Sequence, residues 1–129
     1  MFLAAKIRYY LRKRGLIMDC LFCKIVNREI PSNVVYETED VLAFYDIAPQ
    51  APVHVVIIPK QHIASPAHIT EENCDIAGKM FLAAAEIAKK LDLENGYRVV
   101  SNCGADGGQT VGHLHFHVLA KRNLAWPPG

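Results

Sequence analysis

An α+β domain with a mainly antiparallel sheet is the fold class that the sequence predicts. Three observations carry it. Two β-rich runs, 34–36 and 41–45, flank the polar stretch Glu37-Thr38-Glu39-Asp40 in the manner of a hairpin. A single long amphipathic segment runs from Thr70 to Leu91. Strands and helices do not alternate along the chain, which argues against a parallel sheet built from βαβ units.

Residues 1–17 hold five cations (Lys6, Arg8, Arg12, Lys13, Arg14) and no acid, with Leu3, Ile7, Tyr10 and Leu11 on one helical stripe. This stretch is expected to lie outside the fold, and residues 18–129 to form a single domain, a usual size for one. Asp19 to Asn27 suits a short N-terminal helix. Ile30-Pro31-Ser32-Asn33 is a turn, because proline fixes φ and removes a donor. The second strand ends at Asp46-Ile47, before a loop punctuated by Pro49 and Pro52. The β-branched run His54–Ile58 is a third strand, stopped by Pro59.

Thr70 is the expected N-cap of the long helix, with Glu71 and Glu72 at the positive end of its dipole. Ile76, Met80, Ala84, Ile87, Ala88 and Leu91 recur at helical spacing and face a core, where Met80 and Phe81 are both expected. Asn95-Gly96 closes the segment. Tyr97 to Asn102 is a further strand, and 104–109 a glycine-rich loop feeding the last one. Trp126 is expected to pack against the body of the chain or a partner chain.

The chain has 129 residues, about half of them apolar, enough for one modest core. No apolar stretch approaches the ~20 residues needed to span a bilayer, so no integral membrane association is expected. Over residues 18–129 nine cations face 13 acids, a poor footprint for nucleic-acid binding. The four cysteines do not form a secreted framework, and no signal peptide is evident, which points to a reducing, cytoplasmic location. In that setting Cys20-x-x-Cys23 reads as metal-binding or redox.

Chemistry concentrates in Gly112-His113-Leu114-His115-Phe116-His117-Val118-Leu119. On a β-strand every second side chain shares a face, so Leu114, Phe116 and Val118 would pack inward while three imidazoles line a site. Along one straight strand the outer pair, His113 and His117, would lie about 13 Å apart, too far to share an ion. Exposed amides of the preceding loop can cradle an anion, and Thr110 adds a hydroxyl. Histidine can attack phosphorus, move protons or donate to charged oxygen. The combination suggests phosphoryl or nucleotidyl transfer.

These residues resemble the signature of the histidine triad (HIT) superfamily. The likeness extends through Phe22-x-x-Ile25, Glu29-Ile30-Pro31, Ala43-Phe44-x-Asp46-Ile47, Pro49-Gln50-Ala51-Pro52, Val56-x-Ile58-Pro59-Lys60-x-His62 and Gly107-Gly108-Gln109. The ending Trp126-Pro127-Pro128-Gly129 is similar to the Hint branch, the histidine triad nucleotide-binding proteins.

The resemblance implies a five-stranded HIT fold whose sheet continues across a homodimer. It also implies a purine nucleoside phosphoramidase that hydrolyses P–N bonds of adenosine 5′-phosphoramidates such as AMP-lysine. The alternatives are a nucleotide-binding regulatory module with little turnover, or a dinucleoside polyphosphate hydrolase. By this analogy His115 is the nucleophile, and His117 and His54 orient around the α-phosphate. Asp46 accepts from the ribose, and Phe22, Phe44 and Ile47 form the base slot. Asn102, Gly108, Gln109 and Thr110 line the phosphate and leaving-group side; the family commonly has serine at the last position. Zinc would sit, as a structural ion, on Cys20, Cys23, His62 and His113. Many animal Hint proteins lack one of these cysteines, and this chain departs from them in having both. No redox cofactor and no catalytic metal are implied, and the partners are purine nucleoside monophosphates and phosphoramidates.

Overall fold

A computed structural model describes residues 20–129. The basic stretch 1–17, and Asp19 as the start of the first helix, lie outside the described residues. The elements are α1 (Leu21–Val26), β1 (Val34–Glu37), β2 (Val41–Tyr45), β3 (Val53–Pro59), a 3-10 turn (Pro66–His68), α2 (Asp75–Lys90), β4 (Tyr97–Val100) and β5 (Phe116–Ala120). The five strands form one sheet in the order β1-β2-β3-β5-β4, and every neighbouring pair is antiparallel. This is the α+β fold the sequence pattern requires.

The two faces of the sheet bury different sets of residues. Alternation in β2, β3 and β5 sends Val41, Ala43, Val55, Ile57, Phe116 and Val118 to the side where Ile76, Met80, Ala84 and Ile87 of α2 pack. The opposite face carries Leu42, Phe44, Val56 and Ile58, covered by Phe22 and Ile25 of α1. His54 and His117 belong to this second face, since His117 opposes Val56 in the β3–β5 ladder and His54 opposes Leu119. The site therefore lies on the side away from the long helix.

The ends of α2 differ from the sequence expectation. Thr70 is not the N-cap: its N–H donates to Asn73 Oδ1 at 2.7 Å. The Asn73 amide in turn bonds the His68 carbonyl. Tight turns over 71–74 follow, and the helix begins at Asp75, the only acid in its first turn. At the other end Asp92 takes the left-handed position at φ 56°, with Leu93 N–H on the Ala88 carbonyl and Asp92 N–H on the Lys89 carbonyl. Leu93 is buried beneath that turn. Asn95-Gly96 comes after this cap and leads into β4.

Phe81 is the other correction on α2. Met80 is fully buried but Phe81 is 56% exposed, its ring touching that of Phe116 at 4.8 Å. Adjacent helical positions are about 100° apart, so the stripe that buries Met80 turns Phe81 to its edge. Trp126 is 82% exposed and does not pack into its own chain.

The histidine segment is less regular than a continuous strand. β5 starts only at Phe116, opposite Ile57, and β4 stops at Val100, two residues short of Asn102. Pro59 explains the start: it has no N–H to donate, and its carbonyl accepts from His113 Nε2 at 2.9 Å. Leu114 N–H turns to the Ile63 carbonyl instead. The alternation nevertheless survives in burial, since Leu114, Phe116 and Val118 all lie in the core.

Candidate functional site

His115 stands at the centre of the site. Its Nδ1 donates to the His113 carbonyl at 2.6 Å, because a carbonyl can only accept. A neutral imidazole holding its proton on Nδ1 has a bare lone pair on Nε2. The backbone at this residue is also held, as Ser101 Oγ donates to the His115 carbonyl at 2.9 Å. Phe22 meets the imidazole edge-on at 5.1 Å and Phe44 at 5.7 Å, so an apolar wall backs the ring.

His54 and His117 form a relay beside it. Gln50 N–H donates to His54 Nδ1 at 3.0 Å, which places the His54 proton on Nε2. That nitrogen donates to His117 Nδ1 at 2.8 Å, which leaves the His117 proton on Nε2. The rings of His115 and His117 are 5.0 Å apart. Asp46 Oδ2 lies 3.4 Å from His54 Nε2 and 4.0 Å from His117 Nδ1, while its Oδ1 accepts from Ala48 N–H. Burial is the largest influence on the titration of both imidazoles. It pushes His117 down to about 4, aided by His115 and His54, and lowers His54 against the opposing pull of Asp46.

The glycine-rich loop is braced by Gln109. Its amide nitrogen donates to the carbonyls of Ala64 and Val111, and its oxygen accepts from Gly104 N–H. The side-chain amide is thus engaged within the loop that Gly108 and Thr110 present to solvent. Gly107 has no room for a side chain, since a Cβ would sit 2.4 Å from the Cys103 carbonyl oxygen. Gly108 adopts φ 78°, the left-handed region. Asn102 is half-buried at the start of this loop, and Ile47 is 94% exposed beside Asp46.

A second cluster lies on the other side of His115. His113 and His62 approach through their Nδ1 atoms at 3.1 Å. Cys20 Sγ is 3.3 Å from His113 Nδ1, and Cys23 Sγ is 3.3 Å from His62 Nδ1 and 3.6 Å from His113 Nδ1. In tetrahedral zinc sites, with bonds of about 2.0–2.3 Å, ligand atoms lie roughly 3.3–3.8 Å apart, so the cluster has the size of one such shell. Its chemistry fits too. His113 donates Nε2–H to the Pro59 carbonyl, leaving Nδ1 bare and oriented by a backbone acceptor. Burial, with His62 and His115 nearby, pushes His113 down to about 4 and keeps it neutral. Burial and the neighbouring Cys20 push the Cys23 thiol up to about 12, a penalty that a dication at the centre would reverse.

Asp46, His54 and His117 also converge within 4.8 Å, but they differ in kind from this shell. With the Gln50 N–H on Nδ1, His54 carries its proton on Nε2 and offers no lone pair there to a cation. This trio is built as a hydrogen-bond relay.

The structure brings Phe22, Phe44, Asp46, His54, His115 and His117 onto one face, and sets Cys20, Cys23, His62 and His113 around one point. Sequence reasoning missed the Gln50 N–H and the carbonyls of Pro59 and His113, which fix the ring tautomers, and Ser101, which holds the His115 carbonyl. The first three act through backbone atoms, which sequence patterns do not single out.

The HIT domain family model matches residues 27–124. An uncharacterized HIT-like protein of Synechococcus elongatus is 52% identical over 111 residues, covering 86% of this chain and 97% of the relative. A 14 kDa zinc-binding protein of Zea mays is 50% identical, covering 84% and 87%. Among solved structures, a HIT family hydrolase from Legionella pneumophila superposes with a TM-score of 0.83 at 46% identity, covering 85% of this chain and 99% of that one. A histidine triad nucleotide-binding protein from Candida albicans gives 0.72 at 35% identity, covering 84% and 82%.

The His117 titration sets a pH dependence. His117 binds a proton near 6.5 when unfolded but only near 4 when folded, so the unfolded chain takes up more protons between those values. Stability is therefore full above about pH 6.5 and lost as pH falls toward 4. Thermal unfolding followed by circular dichroism should show Tm dropping by several degrees across this window, and His117→Asn should flatten the slope. An unchanged Tm down to pH 4.5 would contradict the burial of this ring.

Proposed function

This chain belongs to the histidine triad family, and from that premise we propose that it is a nucleotidyl hydrolase cleaving P–N bonds of adenosine, or more broadly purine nucleoside, 5′-phosphoramidates. The observation that carries the reading is the bare Nε2 of His115, held by the Nδ1–H bond to the His113 carbonyl. The Legionella pneumophila HIT family hydrolase and the Candida albicans nucleotide-binding protein support the reaction class and the ligand class.

In this mechanism His115 Nε2 attacks the α-phosphorus and the P–N bond breaks. A proton taken up from solvent with the anionic substrate makes His117 an imidazolium; the departing nitrogen takes its Nε2 proton and leaves as the neutral amine, and His115 becomes a nucleotidyl-imidazolium. The charge of the pair is unchanged, because the cation moves from His117 to His115. Water then attacks phosphorus, returns a proton to His117 and releases the nucleoside monophosphate. His54 holds His117 in the required tautomer. Asp46 accepts from the ribose hydroxyls, and Phe22, Phe44 and Ile47 flank the base. Asn102, Gly108, Gln109 and Thr110 frame the phosphate and the leaving group, with amides of the loop facing developing negative charge.

Cys20, Cys23, His62 and His113 would hold a structural zinc ion, which supplies only a cross-link between α1, the loop after β3 and the segment before β5. The Zea mays zinc-binding relative and the size of the cluster support it. A homodimer is part of the same reading. Among the described residues β4 ends the sheet with one edge unpaired, and Tyr97, Phe81 and Leu82 are exposed. Light scattering should give twice the chain mass; a monomer would refute the pairing.

A fluorogenic adenosine phosphoramidate tests the function. Turnover by the wild type should fall about a thousandfold or more in His115→Ala. Peptide mapping of trapped enzyme should place the nucleotidyl group on His115. An adduct on another residue would overturn the mechanism, and binding without release above the His115→Ala rate would favour the regulatory module. Faster cleavage of a diadenosine polyphosphate would favour the polyphosphate hydrolase. For the metal, protein purified without added zinc should contain about one equivalent per chain, lost in Cys23→Ser. A content near zero in the wild type would refute it.

A further inference from the structure

The relay beside His115 has room for one proton on its central bond, and the reaction loads a second. In the free protein the Gln50 N–H occupies His54 Nδ1 at 3.0 Å, so the His54 proton sits on Nε2 and points along the 2.8 Å line to His117 Nδ1. His117 accepts there and carries its own proton on Nε2. When His117 becomes an imidazolium, the added proton lies on Nδ1, because Nε2 is already protonated. Two N–H groups then face each other across a distance that suits one donor and one acceptor. His54 cannot yield by changing tautomer, since a proton on its Nδ1 would meet the Gln50 N–H. One of the two N–H groups has to turn to another acceptor.

The Asp46 carboxylate is the acceptor within reach. Its Oδ2 lies 3.4 Å from His54 Nε2 and 4.0 Å from His117 Nδ1, on the flank of the bond between them. Small ring rotations bring either nitrogen to the ~2.9 Å of a full hydrogen bond. The carboxylate is held for this position: its Oδ1 accepts from the Ala48 N–H at 2.8 Å, and the Gln50 side chain holds the Ala48 carbonyl at 3.0 Å. The ionisable groups that act on His117 are His115 on its own strand, His54 on β3 and Asp46 at the end of β2, and Asp46 is the only acid among them. Ribose binding leaves this possible. An ionised carboxylate offers about four acceptor positions, of which Ala48 takes one and the relay one or two.

We propose that Asp46 is the proton-loading acceptor of the relay: as His117 becomes an imidazolium, Asp46 Oδ2 takes the N–H that the His54–His117 bond no longer accommodates. This deepens the nucleotidyl-transfer reading, rests on it, and gives Asp46 a positioning task besides the ribose. The proton that enters from solvent with the substrate leaves with the amine, from His117 Nε2. The proton left on His117 is then the one on Nδ1, held by the same carboxylate. His117 Nε2 is bare at that stage and takes the proton of the water that attacks phosphorus, so one anion serves both steps.

Two substrates of the full-length protein that differ only in the departing group isolate this task. The adenosine phosphoramidate of propylamine needs a proton to depart, whereas the para-nitrophenyl ester of AMP loses a phenolate that needs none. Asp46→Asn keeps the oxygen that accepts from Ala48, removes the charge, and puts an N–H donor where the relay needs an acceptor. Its fall in kcat/KM should be about a hundredfold greater for the amine than for the ester. Ribose contacts are common to both substrates and cancel in that ratio, and turnover of the ester shows that the variant is folded. With the amine, the wild-type kcat/KM should decline as pH rises and His117 loses its extra proton. In Asp46→Asn that decline should move to lower pH by about one unit, since loss of the anion weakens the imidazolium. Falls of equal size for the two substrates, or a decline that stays in place, would overturn the proposal and leave nucleotidyl transfer standing. Turnover of both substrates that survives His115→Ala would instead remove the nucleotidyl reading and the proposal with it.

Discussion

The hydrogen bond from His115 Nδ1 to the His113 carbonyl is the constraint on which the site depends. It ties a side chain to the backbone two residues earlier, and so requires that the chain leave regular strand geometry there. The departure is enforced from several directions: His113 Nε2–H on the Pro59 carbonyl, Leu114 N–H on the Ile63 carbonyl, and Ser101 Oγ on the His115 carbonyl. Pro59 is the root of it, because a residue with no N–H ends the β3 ladder and leaves its carbonyl for an imidazole. A nucleophilic nitrogen and a metal-ligating nitrogen thus arise from one local break in a sheet.

The same logic assigns every ring in the segment. Each imidazole gives one nitrogen to a partner of known polarity and keeps the other for chemistry. His113 donates at Nε2 and keeps Nδ1 toward the cysteines; His115 donates at Nδ1 and keeps Nε2 toward the site. His54 accepts from Gln50 N–H at Nδ1 and donates its Nε2–H to His117. The two clusters are neighbours along the chain, yet their tautomers make one suited to a cation and the other to proton transfer. Burial reinforces both by keeping His113 and His117 neutral at physiological pH.

Much of this was legible in the sequence. The alternation of Leu114, Phe116 and Val118 with the histidines gave the burial of that segment, and the α+β class followed from the hairpin and the single long helix. The break before Phe116 was not legible, because it comes from a long-range contact with Pro59 rather than from local propensity. The start of α2 differs for a similar reason: Asn73 Oδ1 accepts from the Thr70 N–H and the Asn73 amide reaches back to the His68 carbonyl, so 70–74 close as tight turns and the helix begins only at Asp75. The Gln50 amide is invisible to sequence reasoning, since any residue other than proline presents the same N–H.

The tautomers are directly measurable. Long-range proton–nitrogen NMR of the uniformly 15N-labelled protein at pH 7 distinguishes protonated from bare ring nitrogens at each histidine. The account predicts His115 with its proton on Nδ1 and a bare Nε2, beside His54 and His117 protonated on Nε2. A His115 protonated on Nε2 would remove the lone pair from the site and contradict the account.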